Sequence, residues 1–394
     1  MGLSTNKMSR LWVACAAASG SMLAAHAVHA ANCTSLPNPI YVTGSSAVQP
    51  FLAGLGTVLA AGSNPITIVY KKQGSCTGGD AIVNDTKMTG TATYWTASSS
   101  VSGETCDLPT AGLPADVGAS DVFWTSCAGS GPLPSNVGDF FGPVEVMTFV
   151  VPKASSHQSI SAEAAYLTFG LGQAGKTPWV DETQLFVRNA QSGTQSEIGT
   201  AIKVPPSKFK GIDSGGSSGV LTSVSSATNV DKAIGILSTG ETDDARDKIK
   251  ELAYQHYGQS CGFWPDSSPT SFDKMNVRDG HYPIWGPLHM FAYVDKNGKA
   301  TNSNALLLID YVSGAKELQG ANLVDVTIDA HLIPQCAMQV TRTSEIGALA
   351  SYQPAAPCGC YFDKKTTGQT SCQACTNDSD CSTNHCRHGY CEAN

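Results

Sequence analysis

Three turns in this chain gather glycine with small hydroxyl-bearing residues: Gly44-Ser45-Ser46, Gly74-Ser75-Cys76-Thr77-Gly78-Gly79 and Ser192-Gly193-Thr194. Each follows a short run of strand character and leads into residues with a helical rhythm. Such turns suit anions. The first turn of a helix carries free N–H groups and a partial positive charge, and glycine lets the backbone approach a ligand closely. Serine and threonine add donors without adding charge. Arg188, four positions before Ser192, would supply a planar cation able to grip a tetrahedral oxyanion with paired hydrogen bonds. A single serine-capped helix start is commonplace, whereas the recurrence beside one arginine points to an oxyanion site.

The elements that must carry these turns are short and alternate between types. Residues 39–43 read as a strand, and residues 47–61 as a helix with Val48, Phe51, Leu52, Leu55, Val58 and Leu59 on one face. Strand character returns at 66–71, 185–188, 233–237 and 290–294, and a continuous apolar run at 144–151 suits a strand buried on both faces. Helices are expected over 161–171, capped by Ser159 or Ser161, and over 303–312. This alternation defines an α/β class.

Composition places the chain outside the cell's reducing interior. Lys7 and Arg10 precede an apolar stretch from Leu11 to about Ala25, with small residues before a cut after Ala27 or Ala30, as in a secretory signal over residues 1–30. Elsewhere no apolar run approaches the length of a membrane span, so the mature chain is expected to be soluble. Its formal charge of −8, or −10 once Lys7 and Arg10 are removed, excludes a protein that coats nucleic acid. Charged residues are only 14% of the chain, against about 25% in an average domain, which disfavours coiled coils and helical arrays. There are 14 cysteines, one of them (Cys15) in the signal. In an exported chain the remainder should form disulfides, with one thiol left over. Cys336 and the seven cysteines from Cys358 onward make an even set. Residues 358–394 hold few aliphatic side chains and would depend on disulfides for their fold. Cys372, Cys375, His385 and Cys386 could instead be read as zinc ligands, the weaker alternative in an exported protein.

The ordered motifs resemble the periplasmic phosphate-binding proteins, the solute receptors of phosphate ABC importers. The resemblance runs from about Tyr41 to Gly314. It comprises Thr43-Gly44-Ser45-Ser46-Ala47-Val48-Gln49-Pro50, the second glycine turn, Asp116-Val117-Gly118-Ala119-Ser120-Asp121, Ser161-Ala162-Glu163 through Phe169-Gly170 with Trp179, Arg188-Asn189-Ala190-Gln191-Ser192-Gly193-Thr194, Gly215–Val220 and Ala233-Ile234-Gly235. It implies the two-lobed periplasmic-binding-protein fold, with a hinge, an inter-lobe cleft and here a disulfide-rich tail. One lobe would take residues 38–125 and 289–350, the other residues 142–282. It also implies inorganic phosphate as ligand, with arsenate fitting the same donors. An ABC permease would be the partner, and the chain would act as a monomer with no cofactor.

Carried over by position, Arg188, Ser192, Gly193 and Thr194 would hold phosphate oxygens, and Asp121 would accept the hydrogen bond of a protonated one. The chain departs from the family at two points. Ala47 stands where the family has a threonine, leaving Ser46 to replace the hydroxyl and Val48 to offer its N–H. The family's second-turn serine aligns with Cys76, with Ser75 or Thr77 as substitutes if Cys76 is in a disulfide. Two other readings compete. Gly215-Gly216-Ser217-Ser218-Gly219 fits a hydrolase elbow, but no strand of the right kind is expected to feed directly into it and none of the nine histidines forms a metal-type pair. A surface interaction protein that kept the receptor fold, with the tail as its binding module, is the alternative function.

Overall fold

The computed structural model describes residues 31–127 and 129–392. The export signal expected over residues 1–30 lies outside the described residues. Twelve strands form one curled, mixed sheet. Near its middle, Pro39–Gly44 lies parallel to Thr67–Lys72 on one side and to Val117–Ser120 on the other. Parallel strands need cover, and the helix Gln49–Ala60 packs Phe51, Leu52 and Leu55 into a core with Ile40, Val42 and Ile68.

The strand Val137–Pro152 is 16 residues long, and its two halves serve different neighbours. Val137 to Val146 pair antiparallel with Trp285–Tyr293, whereas Met147 to Val150 pair with Ile234–Ser238. The apolar run at 144–151 spans this change of partner and lies within the continuously buried part of the strand. The second core gathers Val146, Phe149, Ile198, Ile236 and Trp285. Ala305, Leu308, Ile309 and Leu332 belong to the first core, while Ile333, Ala337 and Met338 belong to the second. Ser303–Val312 forms the expected helix. The helix expected over 161–171 is regular only at Ala162–Tyr166, capped by Ser161, and widens into a π turn over Leu167–Leu171.

Six disulfides form among the described residues. Cys33–Cys106 and Cys76–Cys127 tie the first part of the chain. The eight later cysteines pair among themselves, as Cys336–Cys358, Cys360–Cys372, Cys375–Cys386 and Cys381–Cys391. Among the described residues Cys261 is the free thiol, and it is exposed. The zinc reading fails, because Cys372, Cys375 and Cys386 are each bonded to another sulfur and offer no thiolate.

The C-terminal segment is not a free appendage. Its helix, Gly359–Thr367, buries Phe362 in the second core beside Cys358. The Arg278 guanidinium sits 5.0 Å over the Phe362 ring and pairs with Asp363. Tyr361 donates to Asp325 at 2.6 Å, and buried Glu392 accepts the N–H groups of Cys360 and Tyr361 at the start of the helix. A carboxylate there satisfies two otherwise unpaired donors and complements the helix dipole.

Candidate functional site

Four helices begin around one point. Ser46 precedes Gln49–Ala60 by a short turn, Ser75 opens Ser75–Val83, Gly193 opens Gly193–Ile202, and Ser217 opens Ser217–Ser225. Their approach depends on missing side chains. Gly44 has φ +140°, and a Cβ there would lie 1.8 Å from the carbonyl oxygen of Ala119. A Cβ on Gly193 would meet Ser75 Oγ at 2.3 Å and Asp121 Oδ2 at 2.7 Å.

Arg188 is the centre of the arrangement. It follows the strand Leu185–Val187 and is only 3% exposed. Its backbone N–H donates to Gln195 Oε1 at 2.9 Å, which ties it to the Gly193–Ile202 helix. Nε donates to the Gly215 carbonyl at 3.0 Å, Nη1 to Ser217 Oγ at 2.9 Å and Nη2 to Ser46 Oγ at 2.9 Å. All three acceptors are neutral. Arg246, Arg278, Arg342 and Arg387 each pair with a carboxylate; among the described arginines Arg188 alone does not. Burial pulls its pKa down, and the more distant charges of Asp121, Glu241, Asp213 and Glu145 push back. A buried cation without a counterion in contact costs several kcal/mol, on the order of what a bound anion can return.

A second group of contacts lies beside it. Ser75 Oγ donates to Asp121 Oδ2 at 2.9 Å and accepts the Gly193 N–H at 3.1 Å. Asp121 is buried, and its Oδ1 has no donor among the described residues. The Cys76 N–H donates to the Gln191 carbonyl at 3.2 Å, a further link between the same two turns.

The structure thus brings Ser46, Ser75, Asp121, Arg188 and Gly193 together. Cys76 Sγ is bonded to Cys127, so among the second-turn residues it is Ser75 that reaches Asp121. Thr77 is half-buried and makes no cross-turn hydrogen bond among the described residues. Ala47 gives its N–H to Ser45 Oγ at 3.1 Å, and Val48 is buried at the helix start. Ser192 Oγ caps its helix by accepting the Gln195 N–H, and Thr194 is buried beside it.

Two residues of the arrangement were not among those expected. Ser217 lies in the turn whose glycines fit a hydrolase elbow. A two-residue strand, Ile212–Asp213, ends shortly before that turn. Ser217 Oγ nonetheless meets Arg188 and Ser46, and no histidine is hydrogen-bonded to it among the described residues. Glu145 is the other. It was visible as the lone acid in the apolar run 144–151, a place where an acid is costly without a partner.

No family model matches the chain, and no curated protein matches it. Its fold is similar to solved phosphate-binding receptors. A phosphate ABC transporter substrate-binding protein from Clostridium perfringens, solved with bound phosphate, aligns with 75% of this chain and 99% of its own at 14% identity and a TM-score of 0.49. An ABC-type phosphate transport receptor from Vibrio cholerae aligns over the same shares at 14% identity and a TM-score of 0.47. A human phosphate binding apolipoprotein covers 75% of this chain and 90% of its own at 14% identity, with a TM-score of 0.45. Likeness of this degree assigns no ligand to this chain.

Proposed function

We propose that the protein is an extracytoplasmic solute-binding protein that captures inorganic phosphate at Arg188 and delivers it to an ABC importer. The observation that carries this reading is the buried Arg188, which faces hydroxyls on two sides and no carboxylate in direct contact. Phosphate oxygens would take the place of the Ser46 and Ser217 oxygens on Nη1 and Nη2. The freed hydroxyls, the Gly193 N–H and Ser75 Oγ would then turn to the ligand. Ser46 supplies the hydroxyl that Ala47 lacks, and Ser75 the one that Cys76 lacks. Arsenate has the same shape and protonation and fits the same donors. The disulfide-bonded cysteines, and a secretory signal read in residues 1–30, support an activity outside the cytoplasm. Among the described residues no helix is long and apolar enough to cross a membrane.

Asp121 sets the choice of anion. A buried carboxylate beside an oxyanion is repelled unless a proton lies between them. Hydrogen phosphate brings that proton and sulfate does not, so phosphate should bind at least about tenfold more tightly. Asp121→Asn replaces an acceptor by a group that can also donate. Competitive titration of the variant should show sulfate gaining on phosphate; an unchanged ratio would contradict the role given to Asp121.

Closure at this point also depends on Gly193. The methyl of Gly193→Ala would overlap Ser75 Oγ and Asp121 Oδ2. Phosphate affinity should fall by about a hundredfold, in line with costs of 1–3 kcal/mol for forced overpacking. The helical circular-dichroism signal should be unchanged, because alanine is a better helix former than glycine.

A further inference from the structure

Glu145 lies in the long strand Val137–Pro152, is 2% exposed, and its Oε1 has no donor among the described residues. It stands opposite Gly286 in the ladder with Trp285–Tyr293. A Cβ on Gly286 would lie 3.0 Å from the Asp121 carbonyl and about 4 Å from both Glu197 carboxylate oxygens. Asp121 and Glu145 are thus both buried beside the Gly286 backbone behind the Arg188 site, and Asp121 Oδ1 and Glu145 Oε1 each lack a donor among the described residues. Glu197 has its own partner, Arg342, at 3.4 Å. Glu145 has no oppositely charged group in contact among the described residues, and the charge that acts on it most strongly is that of Asp121.

Two adjoining buried carboxyls cannot both be ionised cheaply, so one proton belongs between them. We propose that Glu145 is a specificity-determining positioning residue, whose carboxyl proton is donated to Asp121 and keeps the pair at a single negative charge behind the bound anion. The inference rests on the phosphate-binding reading. Glu145 acts through Asp121 and does not touch the ligand. Its proton occupies one lone pair of the Asp121 carboxylate, which fixes the plane of the group. The lone pairs that remain are left to accept the proton of hydrogen phosphate.

The surroundings favour the protonated acid. Burial, then the charge and hydrogen bond of Asp121, then the charge of Glu197 raise the Glu145 pKa well above the ordinary carboxylate range, while the Ser238 hydroxyl lowers it. Arg188 and Tyr70 are the other titratable groups within its field, and Tyr70 is itself pushed well up, first by burial. As pH rises, Glu145 is the group that ionises, placing a second negative charge beside the anion. Phosphate affinity should then fall on the alkaline side, by up to about tenfold per pH unit for one linked proton.

The test is phosphate affinity from pH 5 to 9 for the wild-type chain, Glu145→Gln and Glu145→Ala. Glutamine keeps a donor toward Asp121 and cannot ionise. Taking the ratio of two variants at each pH cancels the titration of phosphate itself. The alkaline decline should be present in the wild type and absent in Glu145→Gln. Glu145→Ala should lose about tenfold in affinity at neutral pH, and glutamine should restore it. Parallel profiles for the wild type and Glu145→Gln would overturn the inference and leave the receptor reading intact. Failure of the wild-type chain to bind phosphate at any pH would instead overturn the receptor reading.

Discussion

Arg188→Ala is expected to abolish measurable phosphate binding, with a loss of at least about a hundredfold and up to 2–5 kcal/mol or more. The same substitution should leave the melting temperature of the ligand-free chain unchanged or raise it. The two effects have one cause. Arg188 is nine-tenths buried yet bonded only to neutral oxygens, so in the ligand-free chain its charge is a desolvation cost without a matching Coulomb return. A structural arginine behaves in the opposite way. Arg278, which packs on Phe362 and pairs with Asp363, should destabilise the chain when truncated. Arg188→Lys keeps the charge but loses the planar fork that spans Ser46 and Ser217, so it should restore binding only in part. Calorimetric titration and a thermal melt of the same samples check the claim. Loss of stability in step with loss of binding would make Arg188 a packing residue.

The second large effect concerns stability. Phe362→Ala should cost about 3–5 kcal/mol, the usual range for removing a buried phenyl ring, and lower the melting temperature by on the order of 10 °C. Phe362 lies in the stretch that composition marks as a disulfide-held tail, yet its ring completes the second core together with Cys358, Ala337 and Met338. The helix that carries it is fastened on three further sides, by Cys336–Cys358, by Arg278 and by Asp325. Phe362→Leu should recover most of the loss. Differential scanning calorimetry under oxidising conditions reads both variants, and a melt of Phe362→Ala that matched the wild type would show that the tail folds apart from the body.

Much of the site can be read in the sequence because its chemistry is local. Glycine and serine at a helix start mean the same thing in any fold, and Arg188 lies only four residues from Ser192 along one turn. Helix periodicity at 303–312 and strand character at 39–43 survive for a similar reason, since both faces of these elements are decided by their own side chains. What stays hidden depends on distant neighbours. Ser217 is one serine among many until the strand order brings it to Arg188. Glu145 is a single acid in an apolar run, and only the register opposite Gly286, whose backbone lies against Asp121, brings it behind the site. The cysteine count shows that one thiol is left over, but the identity of Cys261 and the pairing of the other twelve come from the fold. Phe362, next to Tyr361, likewise stands in a stretch of polar residues and cysteines, with nothing in that stretch to announce a core.

The central claim is tested most directly by calorimetry on the mature chain, unfolded and refolded to strip carried-over ligand, titrated first with phosphate and then with sulfate. Saturable binding of one phosphate per chain is expected at micromolar affinity or better, about −8 kcal/mol or stronger, with sulfate at least about tenfold weaker. Absence of both binding heat and any shift in melting temperature with either anion would contradict the account, because the charge of Arg188 would then be buried for no ligand of this class.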